Sequence, residues 1–201
     1  MTVIVGDSKE GWVSALSTLL DTLRSDSLHP RIGRIVLNYN SVRPQGERLN
    51  TFGGRASGPV ALRQILTKVA KFIRGSGGQL HTVDVLDICN AIGEGVVCGG
   101  VRRTSQISLG SPGDRDFVKA KVDFYEDPDL LHRSMSNNSV MYDHRPDLPE
   151  FAAQMQLVRK NGEPGILNAE AARRRRPWFD GVNPCSEILL SDRGMCNLST
   201  V

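Results

Sequence analysis

The chain has 201 residues, enough for one substantial domain with its own core. With 39% hydrophobic and 23% charged residues it has an ordinary soluble composition, and 25 Lys and Arg against 22 Asp and Glu are too mild an excess to favour direct nucleic-acid or membrane contact. No apolar run approaches the roughly 20 residues of a membrane span and no signal-peptide pattern opens the chain, so a cytoplasmic location is expected.

In chain order, Ser8 to Arg24 predicts a first helix: Trp12, Ala15, Leu16, Leu19, Leu20 and Leu23 form an i, i+3, i+4 stripe that Asp7 or Ser8 can cap. Ile35 to Leu37 is a short strand before a turn region from Asn38 to Arg43. Gly53 to Pro59 predicts a flexible loop that starts a second helix, Val60 to Arg74, with Pro59 suited to its first turn. Gly75 to Gly78 ends that helix. A third helix is expected from Thr82 to about Val97, its last turns weakened by Gly93 and Gly95. Gly99-Gly100 leads into Val101 to Gln106 and a strand through Ile107 to Leu109. Asn138 to Tyr142 predicts a further strand, Leu148 to Lys160 a helix, and Ile166-Leu167 a short buried strand. Asn168 can cap a helix through Arg174. Ile188 to Leu190 and Asn197 to Val201 are the last strand candidates. Helices alternating with short apolar strands give an α/β fold with parallel pairing.

The four cysteines, Cys89, Cys98, Cys185 and Cys196, are in a cytosolic chain expected to be free or catalytic rather than a disulfide framework. Their spacing offers no C-x-x-C and no neighbouring histidine pair; zinc is a weak option, and His29, His81, His132 and His144 suggest no metal site. Cys89 reads as a buried helix residue. The run Arg173 to Arg176 reads either as a solvated helix end or as a phosphate-facing cluster.

The densest chemistry lies at Asn183-Pro184-Cys185-Ser186-Glu187, with Cys196 close behind. If the segment is extended, Asn183, Cys185 and Glu187 share one face. A carboxylate beside a thiol disfavours a thiolate, which argues against a protease-type nucleophile. It suits a thiol that reacts as a neutral radical while the carboxylate acts as a base toward substrate. Alone, the pattern is equally compatible with a structural Cys beside a surface Glu.

This five-residue motif resembles the finger loop of ribonucleotide reductase large subunits, and the short interval from Cys185 to Cys196 resembles the cobalamin-dependent, class II branch. Val5 to Trp12, Val42 to Gly46, Phe52 to Pro59 and Gly99 to Gln106 resemble class II ribonucleoside-triphosphate reductases in the same order. The resemblance implies an incomplete ten-stranded α/β barrel that ends at the finger loop, with residues 1–201 the central part of one catalytic barrel domain. It places an effector-loop region at about 50–110 and the finger loop at about 181–197.

It also implies roles. Cys185 carries a transient thiyl radical that takes hydrogen from C3′ of the ribose, and Glu187 takes the 3′-hydroxyl proton. Asn183 hydrogen-bonds the substrate hydroxyls, and Cys196 is half of the dithiol that reduces the substrate. Ser186 stands where many relatives have Gly. Gly99, Gly100, Arg102, Arg103 and Gln106 match the loop that links a specificity-effector site to the substrate base. The Phe52-to-Pro59 loop lies near the effector nucleotide or is an ordinary tight turn.

The implied partners are a ribonucleotide substrate, a deoxynucleoside triphosphate effector, a thioredoxin-type reductant and the remainder of the reductase polypeptide. The implied cofactor is adenosylcobalamin, held mainly by regions outside this chain, as is the partner of Cys196. The chain therefore reads as a piece, inactive by itself. A class I large-subunit fragment and a non-catalytic nucleotide-binding remnant are the alternative readings.

Overall fold

The computed structural model describes residues 1–28, 34–50, 54–98, 101–102 and 104–197, and only the backbone of 25–28, 97–98 and 101–102. Two compact units divide the chain, Met1–Thr104 and Ser105–Val201. Both are mixed α/β.

In the first unit, β1 (Thr2–Ile4) pairs in parallel with β2 (Val36–Asn38), Thr2 opposite Val36. The helix between them, α1 (Lys9–Leu28), is capped by Ser8, whose Oγ accepts the Gly11 N–H at 3.0 Å. Asp7, the other cap candidate, is engaged elsewhere: its carboxylate accepts the Arg43 N–H at 3.1 Å and the Arg43 Nε–H at 2.8 Å. One turn apart, Ala15, Leu19 and Leu23 are buried, as the stripe predicts.

Helix α2 (Pro59–Gly75) buries Leu62, Ile65, Leu66, Val69 and Ile73 along one face. These side chains close the core with α1 and with Val3, Val5 and Tyr39. Pro59 opens the helix, where a missing N–H leaves nothing unpaired. Before it, Gly58 has φ 73°, and a Cβ there would lie 2.8 Å from the backbone nitrogen of Gln45.

Helix α3 (Thr82–Gly95) starts on Asp84, whose carboxylate accepts the His81 N–H at 2.8 Å. It packs tightly on α2 at Gly95, where a Cβ would fall 1.9 Å from Ile65 Cδ1. The helix stops at Gly95 rather than near Val97. Val97–Cys98 (β3) instead pairs antiparallel with Val101–Arg102 (β4), Cys98 opposite Val101. The glycines of the last turns favour that early exit.

The second unit is built on a three-stranded parallel sheet: β5 (Ile107–Gly110), β6 (Asn137–Tyr142) and β7 (Gly165–Asn168). Ile107 pairs with Asn137 and Ser139 with Gly165. A short helix α4 (Arg115–Lys119) and a 3-10 helix (Pro128–Met135) connect β5 to β6, and α5 (Leu148–Asn161) connects β6 to β7. A reciprocal cap starts α5: Asp147 Oδ1 accepts the Glu150 N–H at 2.8 Å, and Glu150 Oε2 accepts the Asp147 N–H at 3.1 Å. Helix α6 (Ala169–Arg175) follows β7 directly, with Asn168 Oδ1 accepting the Ala171 N–H at 2.8 Å.

Ile166 and Leu167 are half-buried rather than buried. The central strand β6 takes the interior instead, with Val140 fully enclosed. A two-residue strand not anticipated from the sequence, β8 (Gly181–Val182), pairs antiparallel with β9 (Leu189–Leu190). Val182 packs with Ala169, Ala172 and Phe179 in a small core. Asn197 is in no strand, and the residues after it lie outside those described.

Substitutions at the two ends of α2 test this reading. Gly58→Ala is expected to lower stability by about 1–3 kcal/mol, because φ and the Gln45 backbone both oppose a side chain. Gly75→Ala, with open space around it, is expected to be neutral or stabilising by up to about 1 kcal/mol. Urea unfolding of the two variants measures the contrast.

Candidate functional site

The hairpin of β8 and β9 presents residues 183–188 as its connecting loop. Asn183 N–H donates to the Ile188 carbonyl at 3.2 Å, and Ser186 N–H donates to the Asn183 carbonyl at 2.8 Å, which closes a turn over Pro184 and Cys185. Pro suits the second position of such a turn. Ser186 completes it with φ 66°, a left-handed conformation that a Gly would adopt without strain.

The segment is therefore folded back on itself. The condition for alternate side chains to share one face, an extended segment, is not met. Pro184 and the positive φ of Ser186 break the two-residue period.

Asn183 is 3% exposed, and its side chain works in two directions. Its Oδ1 accepts the Ile188 N–H at 2.9 Å, and its Nδ2 donates toward Cys196 Sγ at 3.6 Å. A tight turn in which Gly194 N–H donates to the Ser191 carbonyl at 2.9 Å brings Cys196 back toward the hairpin. Cys196 is half-buried, whereas Cys185 and Glu187 are exposed. Among the described residues no hydrogen bond or ion pair engages Cys185 Sγ or the Glu187 carboxylate. The arrangement offers an exposed thiol and an exposed carboxylate two residues apart in one loop, and a second thiol steadied by an amide.

A contact that sequence spacing gave no means of finding completes the site. Asn137, at the start of β6, donates its Nδ2–H to the Pro184 carbonyl at 2.8 Å, across 47 residues of sequence.

Of the effector-loop candidates, Gly99, Gly100 and Arg103 lie outside the described residues, and Arg102 is described only as backbone in β4. Thr104, just after that segment, donates its hydroxyl to the Gly93 carbonyl at 2.9 Å. Gln106 is half-buried, and its carbonyl accepts the Asn137 N–H at 3.0 Å.

The first unit holds a cleft of about 1050 Å³ bordered by Arg55, Ser57, Arg63, Gln64, Lys68 and Glu94. Arg55 donates to the Gly46 carbonyl at 2.9 Å, Arg63 lies 5.1 Å from the centre of the Tyr39 ring, and Lys68 pairs with Glu94. The cleft includes part of the Phe52-to-Pro59 loop. The basic residues of α2 that border it carry only a weak signal in the sequence, a wet helical face following a glycine-rich loop.

Cys89 is exposed, contrary to its reading as a buried residue. It stands one turn after exposed Val85, at the edge of the face that buries Leu86 and Asn90. The side chain of Cys98 lies outside those described. The arginine run is a helix end with surface partners: Arg173 bonds Asp143 at 2.6 Å and Arg174 meets Glu170 at 3.3 Å. Among the described residues no helix is long and apolar enough to cross a membrane.

The chain is similar over nearly its whole length to known ribonucleotide reductases. Its fold superimposes on the crystal structure of a B12-dependent (class II) ribonucleotide reductase with a TM-score of 0.76 and 35% identity, over 95% of this chain and 27% of that one. Residues 1–73 match the family described as B12-dependent ribonucleotide reductase, insertion domain.

Over 97% of its length the chain is 37% identical to the adenosylcobalamin-dependent ribonucleoside-triphosphate reductase of Lactobacillus leichmannii. It is 36% identical to that of Lactobacillus delbrueckii subsp. bulgaricus and 38% identical to that of Lacticaseibacillus paracasei, again over 97% of its length. By sequence and by fold the chain is similar to class II ribonucleotide reductases, and it spans 27–28% of the length of these curated relatives.

The turn geometry makes a prediction that does not depend on chemistry. Ser186→Val is expected to be less stable than Ser186→Gly by roughly 1–2 kcal/mol, since a β-branched residue is poorly accommodated at positive φ. Equilibrium unfolding in urea provides the comparison.

Proposed function

We propose that the protein carrying this chain reduces ribonucleotides, with ribonucleoside triphosphates as substrates, and that the β8–β9 hairpin with Cys196 supplies its thiol chemistry. The observation that carries this reading is the single buried amide of Asn183, which joins the turn bearing Cys185 and Glu187 to the second thiol. The similarity to ribonucleoside-triphosphate reductases along nearly the whole chain supports it.

In this reading exposed Cys185, as a thiyl radical, takes the hydrogen atom from C3′ of the ribose. Glu187 accepts the 3′-hydroxyl proton, and Asn183 directs its remaining N–H to a substrate hydroxyl. The 2′-hydroxyl leaves as water. Cys196 and a partner thiol supply two electrons and two protons and become a disulfide. Cys185 then returns its hydrogen to C3′, so each turnover converts one ribonucleotide and one dithiol into a deoxyribonucleotide, a disulfide and water. A thioredoxin-type reductant restores the dithiol.

The cofactor named for the relatives is adenosylcobalamin, which when bound supplies the one-electron chemistry that such a thiol requires. The open, unengaged Cys185 fits that use. The chain spans 27–28% of the length of these relatives, and in this reading the groups that hold the cofactor belong mainly to other parts of the protein.

The parallel sheet of the second unit is read as part of a ten-stranded barrel. The cleft in the first unit, with Arg55, Arg63 and the N-terminus of α2 on its border, suits the phosphates of a deoxynucleoside triphosphate effector. Residues 99–106 are read as the link that passes its identity to the substrate base.

Cys185→Ser in the full-length protein tests the core of the reading. With adenosylcobalamin, effector and dithiol supplied, deoxynucleotide formation measured by chromatography is expected to fall to background while nucleotide binding persists. Continued turnover would remove Cys185 from the radical role.

A further inference from the structure

Among the described residues, one side chain of the parallel sheet hydrogen-bonds to the thiol-bearing turn, and it has no part in the proposed chemistry. The base of this arm is rigid. Asn137 donates its backbone N–H to the Gln106 carbonyl at 3.0 Å and pairs with Ile107 in the sheet. The residue before it, Ser136, is buried and fixed twice. Its carbonyl accepts the Lys121 ammonium at 2.6 Å, and its hydroxyl donates to Asn138 Oδ1 at 3.0 Å. Lys121 is itself buried, paired with Glu163 and placed 5.2 Å from the centre of the Phe124 ring. From this anchored base the Asn137 side chain reaches 2.8 Å to the Pro184 carbonyl.

That carbonyl belongs to the peptide joining Pro184 to Cys185. The ring fixes φ of Pro184 and the hydrogen bond fixes the orientation of the following peptide plane, so together they aim the Cα–Cβ bond of Cys185. The other hydrogen bonds of the turn close within 183–188, apart from the reach of Asn183 to Cys196. Those bonds preserve the shape of the loop but not its place on the sheet. Among the described residues Asn137 is the one hydrogen-bonding link from the sheet to this turn.

We infer that Asn137 is a positioning residue that sets the direction of the Cys185 thiol through the Pro184 carbonyl. The inference rests on the reading of Cys185 as the reacting thiol, but the clamp itself can be measured without turnover. Hydrogen atom transfer depends steeply on placement, and a displacement of about 1 Å in such a geometry costs up to about 100-fold.

The test uses Asn137→Asp, which keeps the size but replaces the donor with an acceptor facing Pro184, together with Asn137→Ala and Asn137→Gln. In the full-length protein, Asn137→Asp and Asn137→Ala are expected to lower kcat by about 10- to 100-fold with KM for the nucleotide within about twofold. Asn137→Gln, which retains a donor, is expected to recover part of the loss. In parallel, hydrogen–deuterium exchange on the full chain is expected to speed up at least about fivefold over 183–188 in Asn137→Asp, with exchange at Val140 unchanged.

Unchanged exchange over 183–188 in both donor-less variants overturns the clamp. Unchanged kcat in those variants, while Cys185→Ser abolishes turnover, overturns its role in the reaction. Retained turnover in Cys185→Ser instead removes the functional reading and leaves the exchange result to decide the clamp. If Asn137→Ala does not fold, the near-isosteric Asp and the donor-retaining Gln carry the same comparison.

Discussion

The geometry of the candidate site depends on the hydrogen bonds made by the buried side chain of Asn183. Its oxygen takes the Ile188 N–H across the mouth of the turn, and its nitrogen reaches Cys196. Each such bond contributes only about 0.5–1.5 kcal/mol net, but a buried amide stripped of its partners costs about 1–3 kcal/mol. The second figure is the one that matters, because at 3% exposure water is a poor replacement. Opening the loop thus leaves orphaned groups behind. The constraint keeps Cys196 near a turn whose own closure is local, and it lets a short hairpin of two-residue strands hold a defined shape.

That hairpin would still drift without a platform. The platform is β6, the central strand of the parallel sheet, which combines a fully buried Val140 with unusual polarity at its start. Ser136, Asn138 and Ser139 are all buried there. Asn138 Oδ1 is satisfied by Ser136, while its Nδ2 meets no partner among the described residues. A strand optimised for stability alone would carry apolar residues at such places. Polar side chains at the sheet end nearest the thiol-bearing turn are the kind of local departure that accompanies a site. The buried Lys121 fits the same pattern, since its desolvation is offset by Glu163 and the Ser136 carbonyl rather than by water.

Much of the scaffold was legible because its signals are local. The i, i+3, i+4 stripe of α1, the Pro59 start of α2, the Asn168 cap of α6 and the alternation of helix with apolar strand all appear in the structure where the sequence put them. The failures have equally local causes. Cys89 looked buried because α3 is apolar on more than one face, and only packing against α2 decided which face went inside. The sequence leaves open whether residues 183–187 are extended, because Ser, unlike Gly or Asn, gives no warning of a left-handed turn. β8 was missed because a two-residue strand has no period, and its identity comes entirely from pairing with Leu189 and Leu190. The site motif itself was readable, since Asn183, Cys185, Glu187 and Cys196 lie within fourteen residues of each other. Asn137 was not, because no spacing rule links a strand start to a carbonyl 47 residues away.

The unequal surroundings of the two thiols bear on how the proposed reaction would be ordered. Cys185 stands open at the turn, whereas Cys196 is half-buried and receives an N–H from Asn183. The Asn183 amide nitrogen carries two hydrogens, and one points to sulfur while the other remains for a ligand. A substrate hydroxyl that binds this second hydrogen shares a single planar group with Cys196. In the proposed reaction, moving the amide to suit the substrate would also move the donor on Cys196. Substrate occupancy and the redox state of Cys196 would thus be coupled, in that reaction, through the Asn183 side chain.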